Sequence, residues 1–181
     1  MALRSNATLE AFIDKIVRNK DIMDYMKLPT ILKSDTESIR NKKRKAVIDK
    51  VIVKSAQEPS ELNKKFQPVE IDGVTYKNFG DVRMSITLAQ SIKTNSYLFG
   101  NPQVDIDIYY DNTKTMDVFE LLDLISDEFS GKDIEIITKE GKSYLKEIKC
   151  EGITAQVSNI NNFERVGIRF SFYATMYKLN Y

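Results

Sequence analysis

Residues 101–110 read NPQVDIDIYY, and this stretch decides how the rest of the chain is interpreted. Within it, valine and isoleucine alternate with Asp105 and Asp107. Because successive side chains of a strand point to opposite faces, the alternation predicts a strand with one apolar face and one acidic face. The apolar face requires another layer of structure to cover it.

An amphipathic helix is expected directly after this strand. Asp111 to Thr113 supplies a turn and a cap, and the helix is predicted over Met116 to Phe129, with Gly131 as its stop. Its apolar side chains recur at helical spacing on one face: Val118, Leu121, Leu122, Ile125 and Phe129. A strand followed by a helix of this kind indicates a sheet that is backed by helices.

Strands dominate the rest of the pattern. A hairpin is predicted at 69–76, because Asp72-Gly73 suits a type I′ turn. Further strands are expected over 83–88, 134–137, 144–150 and 153–157, and a long final strand over 163–177.

Helices are predicted near the start of the chain, over Thr8 to Met26 with Asn6 or Thr8 as the cap, and over Asp35 to Lys45. The β-branched residues from Val51 to Val53 favour a short strand after the second of these. The predicted fold class is α+β: an antiparallel β-sheet packed by helices on one face, with an inserted polar loop and hairpin. We expect one domain over 1–181, with 31–79 as the inserted region.

Composition excludes several classes of function. The chain has 181 residues, 42% of them hydrophobic, with 9 Phe and 9 Tyr, which is enough for a core. It has no histidine and one cysteine, so Ser-His and Cys-His hydrolases, His-ligated zinc and disulfide frameworks are excluded. No stretch has the ~20 apolar residues of a membrane span, and no signal peptide is recognisable. We expect a soluble protein of a reducing compartment that is not an enzyme and uses no metal or cofactor. Cys150 is expected to be a small core residue.

Charge is unevenly distributed along the chain. Residues 1–65 hold 15 Lys and Arg against 9 Asp and Glu, a net charge of +6, and residues 66–181 hold 12 against 17, a net of −5. The basic excess is greatest over 40–45 and the acidic excess over 105–135. Such a distribution suits self-association through complementary charge, or contact with a charged polymer. The basic run 40–45 could contact phosphates, but a solvated helix face or an interface is the favoured interpretation.

One enzymatic site is conceivable in the second half of the chain. Asp133, followed by Glu147 and Lys149 across a hairpin, resembles the arrangement of PD-(D/E)xK nucleases, in which two carboxylates hold Mg²⁺ and a lysine positions water. The alternative is an ordinary solvent-facing side of a strand. That alternative is favoured, because no helix is predicted after Lys149 as the nuclease fold would require.

The final strand offers candidate interface residues. Arg165, Arg169 and Tyr173 share one face of it, and arginine and tyrosine are enriched in the cores of interfaces. A face covered by the chain's own helices is an equally good interpretation, and the pattern does not choose between the two. Asp105 and Asp107 are expected to be solvated carboxylates or to pair with a neighbouring subunit.

The order of elements resembles the tail terminator (tail completion) proteins of long-tailed bacteriophages. The resemblance covers 1–30 and 80–178: an N-terminal helix, the strand at 101–110, an Asp-Asn-Thr turn, the helix to Phe129, a hairpin and a long terminal strand. Residues 31–79 are an insertion relative to shorter members. Head-completion proteins and other head–tail adaptors have a similar size and style.

The resemblance implies a structural virion protein without catalysis. It implies a hexameric ring that caps the tail tube and joins it to the neck, with the tail tube protein and neck or head-completion proteins as partners and DNA passing through. Asp117, Glu120 and Asp123 would then be lumen-facing acids, since like charge lets DNA slide without sticking. The protein would be found in the tail or neck of the virion, after assembly in the host cytoplasm.

Overall fold

A computed structural model describes residues 5–54, 67–89, 102–111, 113, 117–138, 141–160 and 163–178. Several predicted features lie wholly or partly outside these residues. They are the strand residue Asn101, the turn residue Asn112, most of the polar loop before the first hairpin, the helix start at Met116, and the side chains beyond Ile153 and Tyr173 in the strands predicted over 153–157 and 163–177.

Four α-helices occur in the described chain, together with a short 3-10 turn at Phe79–Asp81. The helices are α1 (Ser5–Arg18), α2 (Lys20–Tyr25), α3 (Glu37–Val47) and α4 (Val118–Phe129). No helix of the described residues is both long enough and apolar enough to cross a membrane.

Within the described residues, eight strands form two sheets. They are β1 (Ile52–Val53), β2 (Val69–Ile71), β3 (Val74–Tyr76), β4 (Arg83–Ala89), β5 (Gln103–Asp111), β6 (Ile134–Thr138), β7 (Gly141–Ile160) and β8 (Phe163–Lys178). The larger sheet has the order β1-β4-β5-β8-β7-β6, and its pairs are antiparallel except the parallel β1/β4 pair. β2 and β3 pair with each other as a separate hairpin. The long β8 therefore lies between β5 and β7, and it joins the two halves of the large sheet.

The core lies between the large sheet and the helices. Val104, Ile106 and Ile108 of β5 are buried in one apolar cluster with residues of α1 and α4. Within it the rings of Phe12 and Phe129 stack with centroids 4.5 Å apart. The α+β class is confirmed, and the buried face of β8 is the one that carries Val166, Ile168, Phe170 and Phe172. Arg165, Arg169 and Tyr173 thus lie on the face opposite to α1 and α4.

The predicted hairpin at 69–76 is confirmed. Asp72 and Gly73 both have positive φ, 53° and 75°, as a type I′ turn requires. The region predicted as an insertion also supplies core side chains, among them Ile31, Val47 and Ile71.

The bounds of the first helices differ from the prediction, and α3 covers Glu37–Val47 where Asp35 to Lys45 was expected. The first predicted helix is divided at Asn19, whose side chain accepts a hydrogen bond from the Ile22 N–H and so caps α2. Because α1 already begins at Ser5, Asn6 and Thr8 lie inside it and not at its cap. Asn19 also donates to Glu128 of α4 at 2.7 Å, a long-range contact that helical periodicity does not reveal.

The cap of α4 is Asp117, not the predicted Asp111-to-Thr113 turn. The Asp117 carboxylate accepts hydrogen bonds from the N–H groups of Phe119 and Glu120. Asp111 instead accepts bonds from the N–H and hydroxyl of Thr113, a local turn that precedes the helix.

Candidate interaction surfaces

Cross-strand ion pairs join the arginines of β8 to the aspartates of β5. Asp105 lies opposite Arg169 in the strand register, and Nε and Nη2 of that arginine donate to the two carboxylate oxygens at 2.7 Å each. Arg165 donates from Nη2 to Asp107 at 2.8 Å. The predicted interface residues are therefore brought together on one face, with their charges paired inside the subunit.

The Asp107 end of this face is closed to solvent. Asp107 is 6% exposed, and its neighbour across the β4/β5 register, Ser85, is fully buried. The guanidinium of Arg165 lies 5.9 Å from the ring centroid of Tyr109, which is also buried. Burial raises the pKa of Asp107, and the attraction of Arg165 only partly offsets that effect. This end of the face is a structural polar cluster.

Tyr173 lies on the same side of β8, at the more open end of this face. Its side chain is 49% exposed. Tyr173 lies opposite Lys146 of β7. Two residues earlier in β8, the hydroxyl of Ser171 donates a hydrogen bond to Glu151. Of the five predicted interface residues, Tyr173 is the one with a large exposed apolar surface.

The predicted lumen acids lie on the other side of the sheet. Asp117 caps α4, and its carbonyl oxygen accepts a hydrogen bond of 2.7 Å from the Tyr25 hydroxyl. Glu120 and Asp123 are exposed on the same helix. Because α4 packs on the apolar face, these acids and the carboxylates of Asp105 and Asp107 lie on opposite sides of the sheet.

The three residues of the nuclease hypothesis lie in an exposed corner of the sheet. Asp133 accepts a hydrogen bond of 3.0 Å from the Glu147 N–H. Glu147 has a positive φ of 52° and lies in a bulge, where the register passes from Lys146 to Lys149. Glu147 and Lys149 are both exposed, with Ile148 buried between them. In the described part of the chain, no three Asp, Glu, Cys or His residues are grouped so that they could hold a metal ion.

The basic run 40–45 divides into structural and solvated residues. Lys43 is buried, and its ammonium donates to both carboxylate oxygens of Asp35 and to the carbonyl of Thr30, each at 2.9 Å. Burial raises the pKa of Asp35, but bonds from Lys43 and from the Leu32 N–H outweigh it, so the net pKa lies below the ordinary value of 3.8. The remaining exposed cations of the run are Lys42, Arg44 and Lys45.

A surface that the sequence analysis missed lies beyond the Arg–Asp pairs, on the same side of the sheet. We call it the basic-aromatic face, and it consists of Ile137, Lys142, Tyr144, Lys146, Lys149 and Tyr173. Glu135 lies on the same face opposite Tyr144, and its carboxylate accepts a hydrogen bond of 2.9 Å from the Tyr144 hydroxyl and pairs with the Lys142 ammonium at 2.9 Å. The alternation of Lys142, Tyr144 and Lys146 with inward-facing Ser143 and Leu145 is the sequence signal that could have revealed it. Cys150, predicted to be in the core, is partly exposed at the margin of the apolar cluster.

No protein-family model matches this chain, and no curated protein does. Among solved structures, the chain is similar to a component of the "Virion of native gene transfer agent (GTA) particle". The identity is 13%, the match covers 55% of this chain and 82% of that chain, and the TM-score is 0.24. A TM-score this low establishes neither a shared fold nor a shared function.

Proposed function

We propose that this chain is a structural protein of a phage-like virion, a tail terminator that forms a hexameric ring at the head–tail junction. The observation that carries the proposal is the open end of the face formed by β5 and β8, where the exposed Arg169 is held by Asp105 on the same side of β8 as the exposed Tyr173. Ordered arginines and an exposed tyrosine on a sheet face are typical of a contact surface. A catalytic cleft would instead present free reactive groups.

The order of elements supports the same proposal. The chain runs from α1 through an intervening region to β5, α4 and the β7–β8 hairpin. This is the order of elements in which the chain resembles tail terminators. Under this proposal the protein acts by assembly, without catalysis. Its partners are the tail tube protein and the neck or head-completion proteins, and DNA passes through the ring. Another head–tail adaptor is the nearest alternative, because it would use the same kind of surface.

The first experiment measures the native mass of the purified chain at low and physiological salt, alone and with tail tube protein, followed by imaging of any large species. We expect a closed ring of about six times the 20.8 kDa of one chain. A chain that stays monomeric in every condition, with and without tail tube protein, would contradict the proposed function.

The contact surface is tested by two charge variants. The Arg165→Glu, Arg169→Glu variant is expected to lose assembly, but it also breaks both cross-strand pairs within the subunit. The second variant exchanges one pair of partners, Asp105→Arg with Arg169→Asp, which keeps an ion pair at this position while exchanging the positions of its two charges. We expect this second variant to fold with unchanged Tm and to assemble poorly, which separates loss of the contact from loss of the fold. Normal assembly of both variants would exclude this face as the ring interface.

A further inference from the structure

We propose that the acidic side of α4 in one copy of the chain packs on the basic-aromatic face of the next copy. This inference rests on the proposed self-assembly. It extends the contact face of β5 and β8 through Tyr173, which belongs to both faces, and names the surface of the next copy that would meet it. The two surfaces are unlike each other, so the contact is head-to-tail, the type that generates a ring when the rotation between copies closes.

On the basic-aromatic face Lys142 is paired with Glu135, so the available positive charge is that of Lys146 and Lys149. Neither Lys146 nor Lys149 forms an ion pair with another residue of the described chain. Ile137 is 70% exposed, and the Lys146 ammonium lies 5.9 Å from the ring centroid of Tyr144. With Tyr173 opposite Lys146, this part of the sheet combines cations with aromatic and aliphatic side chains. Such a combination suits a partner that brings carboxylates and one apolar anchor.

The acidic side of α4 has the complementary composition. Glu120, Asp123 and Asp127 are exposed and recur at spacings of three and four residues, which places them along one side of the helix. Phe119 lies at the start of this stripe with 56% of its surface exposed. Asp123 and Asp127 have no ion-pair partner among the described residues, so a second chain can use their charge.

The acidic side of α4 and the basic-aromatic face point away from each other, on opposite sides of the layer formed by α4 and the sheet. α4 packs its buried side against the sheet, where it contacts β7 and β8, and these strands carry the basic-aromatic face on their other side. A subunit therefore cannot join its own two surfaces, but a neighbouring copy can. In such a contact, Phe119 would pack beside Tyr144 and Tyr173, while carboxylates of α4 approach Lys146 and Lys149.

Complementary mixing tests this contact. The sheet variant carries Lys146→Glu and Lys149→Glu, and the helix variant carries Asp123→Lys and Asp127→Lys. Each variant alone is expected to stay monomeric at salt concentrations where the unmodified chain assembles, because like charges then face each other. An equimolar mixture restores opposite charges at every contact and is expected to recover assembly, with the two variants alternating.

The matched control is Lys42→Glu with Lys45→Glu, the same charge change at two exposed lysines of α3. It is expected to assemble like the unmodified chain. Circular dichroism and Tm measurements establish that every variant is folded before native mass is measured.

The outcomes separate this inference from the proposed function. Ring formation that neither variant disturbs would overturn the inference and leave the function standing. A mixture that stays monomeric although each variant is folded would also overturn it. If the unmodified chain never assembles, alone or on tail tubes, both fail. A last outcome would assign the basic-aromatic face to nucleic acid instead. In that case the unmodified chain binds a single-stranded oligonucleotide tightly, the sheet variant alone loses this binding, and mixing the variants does not rescue assembly.

Discussion

Arg169 and Asp105 face each other across the β8/β5 pair and form a two-bond ion pair, with both N···O distances at 2.7 Å. Further along the same two strands, Arg165 forms an ion pair with Asp107 at 2.8 Å. The two pairs differ in burial, since the side chain of Asp105 is 24% exposed and that of Asp107 only 9%. This difference predicts that the pairs contribute unequally to stability.

Truncation of the two arginines should reveal that inequality. Arg169→Ala is expected to lower the free energy of unfolding by about 0.2–1 kcal/mol, since the pair is exposed. Arg165→Ala leaves Asp107 buried without its guanidinium partner and is expected to cost about 1–3 kcal/mol. Urea unfolding measures both. Equal losses would show that burial of Asp107 does not govern the contribution of its pair.

Lys43 is expected to be essential to the stability of α3, in contrast to its neighbour in the basic run. Lys43→Ala leaves the Asp35 carboxylate largely buried without its ammonium partner, which should lower the free energy of unfolding by about 1–3 kcal/mol. Lys42→Ala, at an exposed position of the same helix, should stay within about 0.5 kcal/mol. If both substitutions have the same effect, Lys43 is an ordinary surface lysine.

The same pair predicts an acid-dependent contribution to stability. The pKa of Asp35 is lowered in the folded chain, so its charged form is favoured by folding. Its stabilising effect is therefore fully present above the ordinary value of 3.8 and is lost as the pH falls through the lower, folded-state pKa. We expect the stability difference between the unmodified chain and Lys43→Ala to shrink on acidification below that value. A difference that is constant with pH would contradict this origin.

Glu147 is expected to contribute to the bulge through its backbone and not through its side chain. Its positive φ of 52° is unfavourable for a residue with a Cβ, so Glu147→Gly should be neutral or should raise the free energy of unfolding by up to about 1 kcal/mol. Asp133→Ala removes the acceptor of the Glu147 N–H and should lower it by about 1 kcal/mol. Lys149→Ala is the control and should have little effect. Mg²⁺-dependent DNA cleavage by the unmodified chain that Glu147→Gly abolishes would instead support the nuclease hypothesis.

Alanine substitutions of a buried and an exposed phenylalanine should affect different quantities, the free energy of unfolding for Phe12 and assembly for Phe119. Phe12 is fully buried, stacks on Phe129 and lies 6.1 Å from the ring of Phe170, so Phe12→Ala should cost about 3–5 kcal/mol. Phe119→Ala, on the exposed side of α4, should change stability by less than about 0.5 kcal/mol. Under the head-to-tail proposal, Phe119→Ala should still weaken assembly. A Phe119→Ala chain that assembles with unchanged affinity would remove Phe119 from the contact.

Elements with strong local periodicity could be predicted from the sequence. The alternation of apolar and acidic residues at 104–108 predicts β5, and the helical spacing from Val118 to Phe129 predicts α4. Asp72-Gly73 predicts the β2–β3 turn, because the required backbone conformation is a property of those two residues. Each of these signals is contained within about one element's length, so no knowledge of distant contacts is needed.

The state of the charged side chains is decided by the tertiary structure alone. Arg165 lies 58 residues from Asp107 along the chain, and only the β5/β8 register brings their side chains together. Lys43 belongs to what the sequence presents as a solvated basic run, yet the fold buries it against Asp35.

Local amino-acid patterns thus determined which segments form strands and helices, since backbone propensity and side-chain periodicity act over a few residues. The packing of those segments decided which charges are paired inside the subunit and which remain exposed on α4 and on the basic-aromatic face. Ion pairing and burial depend on distances between residues that are remote along the chain, and those distances exist only once the layers have packed.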